Sequence, residues 1–284
     1  MADAKPPRKG KSSSKPDLAT IGGLLLALGG IAGGMIMEGG KIQDVAQVTS
    51  ALIVLGGTIG AVMITTPLPV LIRAAKKLGQ VFFGKEESVG AAIDEIIGYA
   101  SQARKEGIVS LETQAAEIAD PFLSKALGLA VDGIESNRIR EIMELEIQLF
   151  EEDVDAEAKV FEAAGGYAPT IGIIGAVLGL IQVMKNLADI DEVGKGIAAA
   201  FVATIYGVAS ANIFFLPAAS KLKARGRAAI QVRELMLEGV LSIADGVNQK
   251  LIRLKLDAYL GNSPAAKAGK KKGQTAAQPL SAEG

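Results

Sequence analysis

Four stretches of this chain are long and apolar enough to cross a lipid bilayer, and they constrain the fold more than anything else in the sequence. The first runs from Leu18 to about Met37 (LATIGGLLLALGGIAGGMIM) and the second from about Val45 to Thr66 (VAQVTSALIVLGGTIGAVMITT). The third runs from Tyr167 to about Leu187 and carries no charge over YAPTIGIIGAVLGLIQVM. The fourth runs from about Gly196 to Pro217 (GIAAAFVATIYGVASANIFFLP). A hydrocarbon core of about 30 Å takes roughly 20 apolar residues of helix. Backbone groups in lipid must be satisfied within the segment, so spans of this kind are helices. The expected fold class is therefore all-α: four transmembrane helices with a large helical insert between the second and third. A cleaved signal peptide is a poor reading of the first stretch, because it is long and a second span follows at once.

Charge is 21% of the 284 residues and is concentrated between the apolar stretches. Five basic residues, Lys5, Arg8, Lys9, Lys11 and Lys15, precede the first span; Arg73, Lys76 and Lys77 follow the second; Lys221, Lys223, Arg225 and Arg227 follow the fourth. The short loops Glu38–Asp44 and Lys185–Lys195 are poor in basic residues. Since basic residues near span ends stay on the cytoplasmic side, both termini and the long insert are expected there. The expected segments are a basic tail (1–17), the first pair of spans (18–72), a cytoplasmic helical region (73–166), the second pair of spans (167–220), a C-terminal cytoplasmic helix (221–260) and a tail (261–284). Both tails are rich in Lys, Ala, Gly or Pro and read as disordered.

Within the insert, Val89, Ile93, Ile96, Ile97 and Ala100 recur at helical spacing. Asp120 and Pro121 make an N-cap followed by a first-turn proline. NRIREIMELEIQLFEEDVDAEAKVFEAAGG reads as one long helix that continues into the third span, with Ile139, Ile142, Met143, Leu145, Ile147, Leu149 and Phe150 as its apolar positions.

The chain has no cysteine and no histidine, which removes disulfides, zinc sites and His-based triads. GQVFFGK (Gly79–Lys85) matches the spacing of a phosphate-binding loop, but Glu86 follows where a Ser or Thr would hold magnesium, and the loop interior is Val-Phe-Phe. Glu151 and Glu152 belong to a solvated acidic face. The net charge of −1 gives no reason to expect nucleic acid. No nucleophile–base pair or metal cluster can be assembled, so the chain is not read as an enzyme, and it needs no cofactor.

Glycines mark three of the spans: Gly22, Gly23, Gly29, Gly30, Gly33 and Gly34 in the first, Gly56, Gly57 and Gly60 in the second, and Gly172, Gly175 and Gly179 in the third. In lipid, helices associate through close packing of small residues. Packing within one chain accounts for such positions, and their number favours several subunits. At 100° per residue, Pro169, Gly172, Ala176, Leu180 and Val183 share a face of the third span. Ala200, Thr204, Val208 and Ala211 share one on the fourth, with Gly207 beside them. These faces could line a seam or pore around another helix. Ion-conducting proteins usually carry an ionisable group within the membrane. These faces carry none, so a conducted ion would need a carboxylate brought by a partner chain.

The arrangement of spans, together with APTIGIIGAVLGLIQVM and GKGIAAAFVATIYGVASANIFFLP, resembles the MotA/TolQ/ExbB family of proton channels. The first pair of spans and ARKEGIVSLE (Ala103–Glu112) resemble its flagellar stator branch, and the likeness covers about Asp17 to Leu260. The resemblance implies a homopentamer around a MotB-like partner with one span, an ion-carrying Asp and a peptidoglycan anchor, driving the rotor protein FliG. It implies an ion path along Thr204, Ala176, Pro169, Gly172, Val208 and Ala211, and coupling prolines at Pro169 and Pro217. Taken alone, those prolines are ordinary membrane-helix prolines near helix ends. It also implies rotor contacts at Arg104 and Glu112, with Lys105 as a helper; taken alone, these are charges on a solvated helix. Sodium-driven members carry threonine on both path helices. Here only Thr204 is present and Ala176 offers no oxygen, so the expected ion is H+. A TolQ/ExbB-like energiser of outer-membrane processes and a non-conducting scaffold are the other readings; the former typically places its large insert after the first span.

Overall fold

A computed structural model describes residues 15–84 and 89–262. The expected disorder of both tails lies largely outside those residues, and residues 79–82 of GQVFFGK are helical. The helices are α1 (Leu18–Met37), a single turn α2 (Ile42–Val45), α3 (Val48–Thr65), α4 (Leu68–Phe82), α5 (Val89–Glu106), α6 (Glu112–Glu117), α7 (Pro121–Val131), α8 (Ser136–Lys185), α9 (Ile190–Ala244) and α10 (Gln249–Asn262). The only extended pairing among the described residues joins β1 (Lys15–Pro16) to β2 (Phe83–Gly84), antiparallel. Among the described residues four helices, α1, α3, α8 and α9, are long and apolar enough to cross a membrane. The all-α expectation is met.

Local chemistry sets the helix ends. The Asp17 carboxylate accepts from the Thr20 N–H (3.1 Å) and starts α1. Gly39, with φ +86°, turns the chain beyond its far end. α3 and α4 separate at Pro67, before which Thr66 is extended, as a residue preceding proline should be. Asp120 accepts from the N–H groups of Phe122 (2.9 Å) and Leu123 (3.0 Å) at the start of α7, with Pro121 in the first turn. Asp189 caps α9 in the same way. The 50-residue α8 is the expected continuous helix, and it passes through Pro169 without a break.

The chain divides into two compact units, residues 1–85 with 154–223 and residues 86–153 with 224–284. The division cuts α8 and α9, so the stretch 73–166 is shared between units. In the second unit, Ile93, Ile96, Leu111, Leu123, Leu127, Ile139, Met143, Leu235, Leu241, Ile252 and Leu256 form a core in which none is more than 2% exposed. Arg233 lies over the Phe150 ring, 3.7 Å from its centre, so this cation shields an aromatic at the core edge. Of the apolar positions read on α8, Ile139, Met143 and Ile147 are buried, while Leu145 and Leu149 are exposed. Ile139, Met143 and Ile147 follow i, i+4, i+8, and Leu145 and Leu149 lie two residues, about 200° around the helix, beyond Met143 and Ile147 respectively.

In the first unit, Val62, Ala74, Val81, Ala158, Phe161, Ala164, Ala218, Ala219 and Leu222 form the second core. No residue of α1 is buried, and a Cβ added at any of its six glycines would meet nothing within 4 Å. The α1 glycines therefore do not pack within the chain.

Candidate functional site

The third and fourth spans close on each other through small residues. Along α8 these are Ala168, Gly172, Gly175 and Gly179, and along α9 they are Gly196, Ala200, Ala203 and Gly207. Both rows follow the i, i+4, i+7, i+11 spacing that keeps one face of a helix turned to its neighbour. A Cβ on Gly179 would lie 2.9 Å from the Ala200 nitrogen, and one on Gly175 would lie 2.8 Å from the Ala203 Cβ. Val183 fills the space beside Gly196, 2.5 Å from where a Cβ there would stand. Backbones approach this closely only where side chains are absent or are single methyl groups.

Against that seam, the residues expected to line an ion path separate into two groups. Gly172 is buried between α8 and α9, and Ala211 is also buried. Thr204 and Val208 line one groove of about 360 Å³ with Ile31, Ala209, Asn212 and Ile213. Val208 is 46% exposed there. The Thr204 hydroxyl donates to the Ala200 carbonyl (3.2 Å), so its remaining polarity toward the groove is that of an acceptor. Ala176 and Pro169 are half-buried. Pro169 stands at the seam, its Cα 3.2 Å from where a Gly207 Cβ would be. Pro217 is exposed and lines a second groove, of about 330 Å³, with Thr20, Gly23, Asn212 and Lys221. No acidic or basic side chain lines the Thr204 groove. It holds one hydroxyl and one amide.

Arg104 and Lys105 are exposed in the last turn of α5, and Glu112 is exposed in the first turn of α6. Each charge also complements its helix dipole, cations at a C-terminus and an anion at an N-terminus. Between them, Gly107 takes φ +83° and the chain makes a 3₁₀ turn over Ile108–Leu111. The turn is tied at several points. Ser110 Oγ donates to the Gly107 carbonyl (2.7 Å), Gln102 Nε2 donates to the Ser110 carbonyl (3.4 Å), and Gln114 Nε2 donates to Gln102 Oε1 (2.8 Å). Leu111 is fully buried beneath it. The three charged residues thus sit on one braced hairpin.

Two features had no clear signal in the sequence. The Tyr206 hydroxyl donates to the Val45 carbonyl (2.5 Å) and accepts from the Gln47 N–H (3.3 Å), pinning the loop between α1 and α3 to α9. Each of α3 and α9 also contains a wider π-helical turn, at Leu52–Gly56 and Ser210–Phe215. Hydroxyl and amide groups that bond back to carbonyls, such as Thr58 to Val54 (2.6 Å) and Asn212 to Val208 (2.9 Å), lie beside them. No metal-binding group of His, Cys, Asp or Glu occurs among the described residues.

Four spans, a glycine seam and an uncharged groove define a multi-pass membrane protein of the ion-channel type, and the comparisons with known proteins agree. The MotA/TolQ/ExbB proton channel family model matches residues 114–235, and the motility protein A N-terminal model matches residues 21–106. The chain belongs to the MotA/TolQ/ExbB proton channel family. It is 38% identical to motility protein A of Bacillus subtilis over 86% of this chain and 91% of that protein. It is 34% identical to chemotaxis protein PomA of Vibrio alginolyticus over 88% of this chain and 98% of that protein. Among solved structures, C. jejuni MotAB superposes with a TM-score of 0.83 at 34% identity, covering 87% of this chain and 98% of that one. The flagellar MotAB stator complex of Bacillus subtilis gives a TM-score of 0.80 at 34% identity, covering 88% and 98%.

Proposed function

We propose that this chain is an ion-conducting stator subunit of a bacterial flagellar motor. One observation carries the reading: the likeness to motility protein A runs through both pairs of spans and the insert, over 91% of that relative's length. It includes residues 21–106, where the motility protein A N-terminal model matches. That region holds the first pair of spans, placed ahead of the insert, and it sets the stator branch apart from TolQ/ExbB-like energisers.

The finer assignment follows from chemistry. The Thr204 groove has no titrating group, so the carboxylate that carries the ion belongs to a second protein, a MotB-like single-span chain anchored to peptidoglycan. The solved relatives are MotAB complexes, which supports such a pairing. The ion is H+: a dehydrated sodium ion needs several oxygen ligands, and Ala176 supplies none, whereas a proton needs only the partner's carboxylate. Several copies, most simply five, surround the partner in the inner membrane with their termini in the cytoplasm. Ion passage turns this ring, and Arg104, Lys105 and Glu112 on the braced hairpin engage FliG. Pro169 and Pro217 couple the ion step to movement of the cytoplasmic segments.

The test is a clean deletion, scored for swimming and, by electron microscopy, for flagellar filaments. Paralysed cells with intact filaments, restored by the wild-type gene, are expected. Normal swimming in a strain without a second stator set would overturn the proposal, and detergent sensitivity in that strain would point to an envelope-energising role.

A further inference from the structure

Below Pro169, the third-span helix carries a charge that the ion path does not use. Glu157 belongs to the acidic run ELEIQLFEEDVDAEAKVFE, whose Glu151, Glu152, Asp153 and Asp155 are all exposed. Glu157 itself is 3% exposed and is the one buried acidic or basic residue among the described residues. It lies twelve residues before Pro169 on the same helix, or about 18 Å along its axis.

Two cations on α4 meet it. Lys77 Nζ lies 2.7 Å from one carboxylate oxygen and Arg73 Nε lies 3.7 Å from the other. Arg73 and Lys77 are one helical turn apart and therefore share a face of α4. Around them the contact is made of small apolar groups: Ala74 and Ala158 are fully buried, as is Ala219 to within 1%. Alanine against alanine holds helices together but accepts several registers. A buried carboxylate accepts one, because sliding α8 along α4 would leave it buried without its cations. A second ion pair on this stretch, Lys223 to Glu162 at 2.9 Å, is more exposed and correspondingly weaker in setting register.

We propose that Glu157 is a positioning residue for torque generation. With Lys77 and Arg73 it fixes the register of the third-span helix against α4, so that a change of shape at Pro169 is passed along α8 and is not lost as slippage between the two helices. This proposal rests on the stator reading above.

The test uses the deletion strain carrying a fluorescently tagged full-length chain with its partner, and reads two quantities: stators recruited per motor and stall torque per stator. The variants are Glu157→Gln, Lys77→Gln, the double change and Lys77→Arg. Each single neutral variant is expected to be recruited normally and to lose about threefold or more in torque per stator. The double variant should be no worse than the poorer single one, as for two groups acting through one contact. Lys77→Arg should keep nearly full torque. Full torque per stator in Glu157→Gln, or losses that multiply in the double variant, would overturn the proposal. So would a loss confined to recruitment, which is what a purely stabilising pair would give. If Glu157→Gln is not recruited, Lys77→Gln decides, since it keeps Arg73 beside the carboxylate; failure of both to be recruited would also overturn it. Failure of the wild-type gene to restore swimming would instead refute the stator reading.

Discussion

Gly172 and Gly207 meet backbone to backbone: a Cβ on Gly207 would lie 3.1 Å from the Gly172 Cα and 2.5 Å from the Ala168 carbonyl oxygen. No side-chain rotation can relieve a clash with backbone, so α8 and α9 would have to separate. Gly207→Ala is expected to lower the thermal stability of the detergent-purified complex, by about 1–3 kcal/mol as for overpacked cores. Gly98→Ala on α5, outside the spans, where the same atom meets nothing within 4 Å of its own chain, should leave it unchanged or raise it slightly through helix propensity. Melting curves of the two proteins side by side check this. Equal melting temperatures would mean that the seam is looser than its geometry.

How much of this was legible beforehand depends on the kind of signal. The spans were legible because length and absence of charge suffice to identify them. The unbroken α8 was legible because its apolar periodicity runs directly into YAPTIGIIG. The partner of each face was not. Spacing places Gly172, Ala176, Leu180 and Val183 on one side of a helix, yet Gly172 and Val183 are buried against α9 while Leu180 is exposed. A face about 100° wide can serve two neighbours, and periodicity carries no information about which. Glu157 was hidden for a related reason: within an acidic run, the one carboxylate that turns inward is revealed only by the helix that brings Arg73 and Lys77 to it. The Tyr206 bonds to Val45 and Gln47 span about 160 positions of sequence, and no local pattern announces them.

The braced hairpin gives a prediction about the rotor contact. Arg104→Glu would place like charge against an acidic partner surface, and the partner's compensating reversal should restore much of the lost swimming. Because all three charged residues are exposed, the pairing should contribute on the order of 1 kcal/mol, or about fivefold in affinity, and weaken with salt. Gln114→Ala keeps every charge but releases Gln102 and with it the turn at Ser110, so a smaller loss in the same direction is expected. A swim-plate assay across a panel of rotor charge reversals decides it. No rescue by any reversal would remove the charge-pairing assignment.

Glu238 gives the second unit a pH dependence of known sign. Burial alone would raise its pKa, but the ammonium of Lys255 and the guanidinium of Arg140 outweigh that and hold the carboxyl below its ordinary value of 4.5. A group with a lowered folded pKa binds fewer protons folded than unfolded. Its stabilisation is therefore complete above the ordinary carboxylate value and is lost as pH falls through the lower folded one. Glu238→Gln should flatten that part of the stability profile while leaving a less stable protein at neutral pH. Thermal unfolding of both proteins between neutral and strongly acidic pH tests this, and parallel curves would contradict it.

Proton drive has its own consequence. With one hydroxyl at Thr204 and none at Ala176, swimming speed should not change when external sodium is replaced by potassium at constant proton-motive force. Ala176→Thr adds the second hydroxyl without adding charge, and because the missing oxygen at this position is what argues against sodium, speed in that variant should begin to rise with external sodium. Speed that rises steeply with sodium in the wild type would reverse the assignment of the ion.

Pro169 is where the seam and the proposed coupling coincide. As a proline it contributes no N–H, so the carbonyl one turn earlier, at Gly165, loses its usual helical donor. α8 nevertheless remains continuous, with the Thr170 hydroxyl donating to the Tyr167 carbonyl (2.8 Å) beside the gap. A helix that lacks one bond at a fixed point bends there more readily than elsewhere. Pro169→Leu restores the bond and stiffens that point. If bending is how the ion step reaches α8, torque should fall by tenfold or more, about 1.4 kcal/mol or more of lost coupling. The complex should still purify at its normal size, since no seam glycine has been filled. Size-exclusion chromatography and stall torque on the same variant separate the two roles. An intact complex without torque assigns Pro169 to coupling; a dispersed one assigns it to holding α8 against α9.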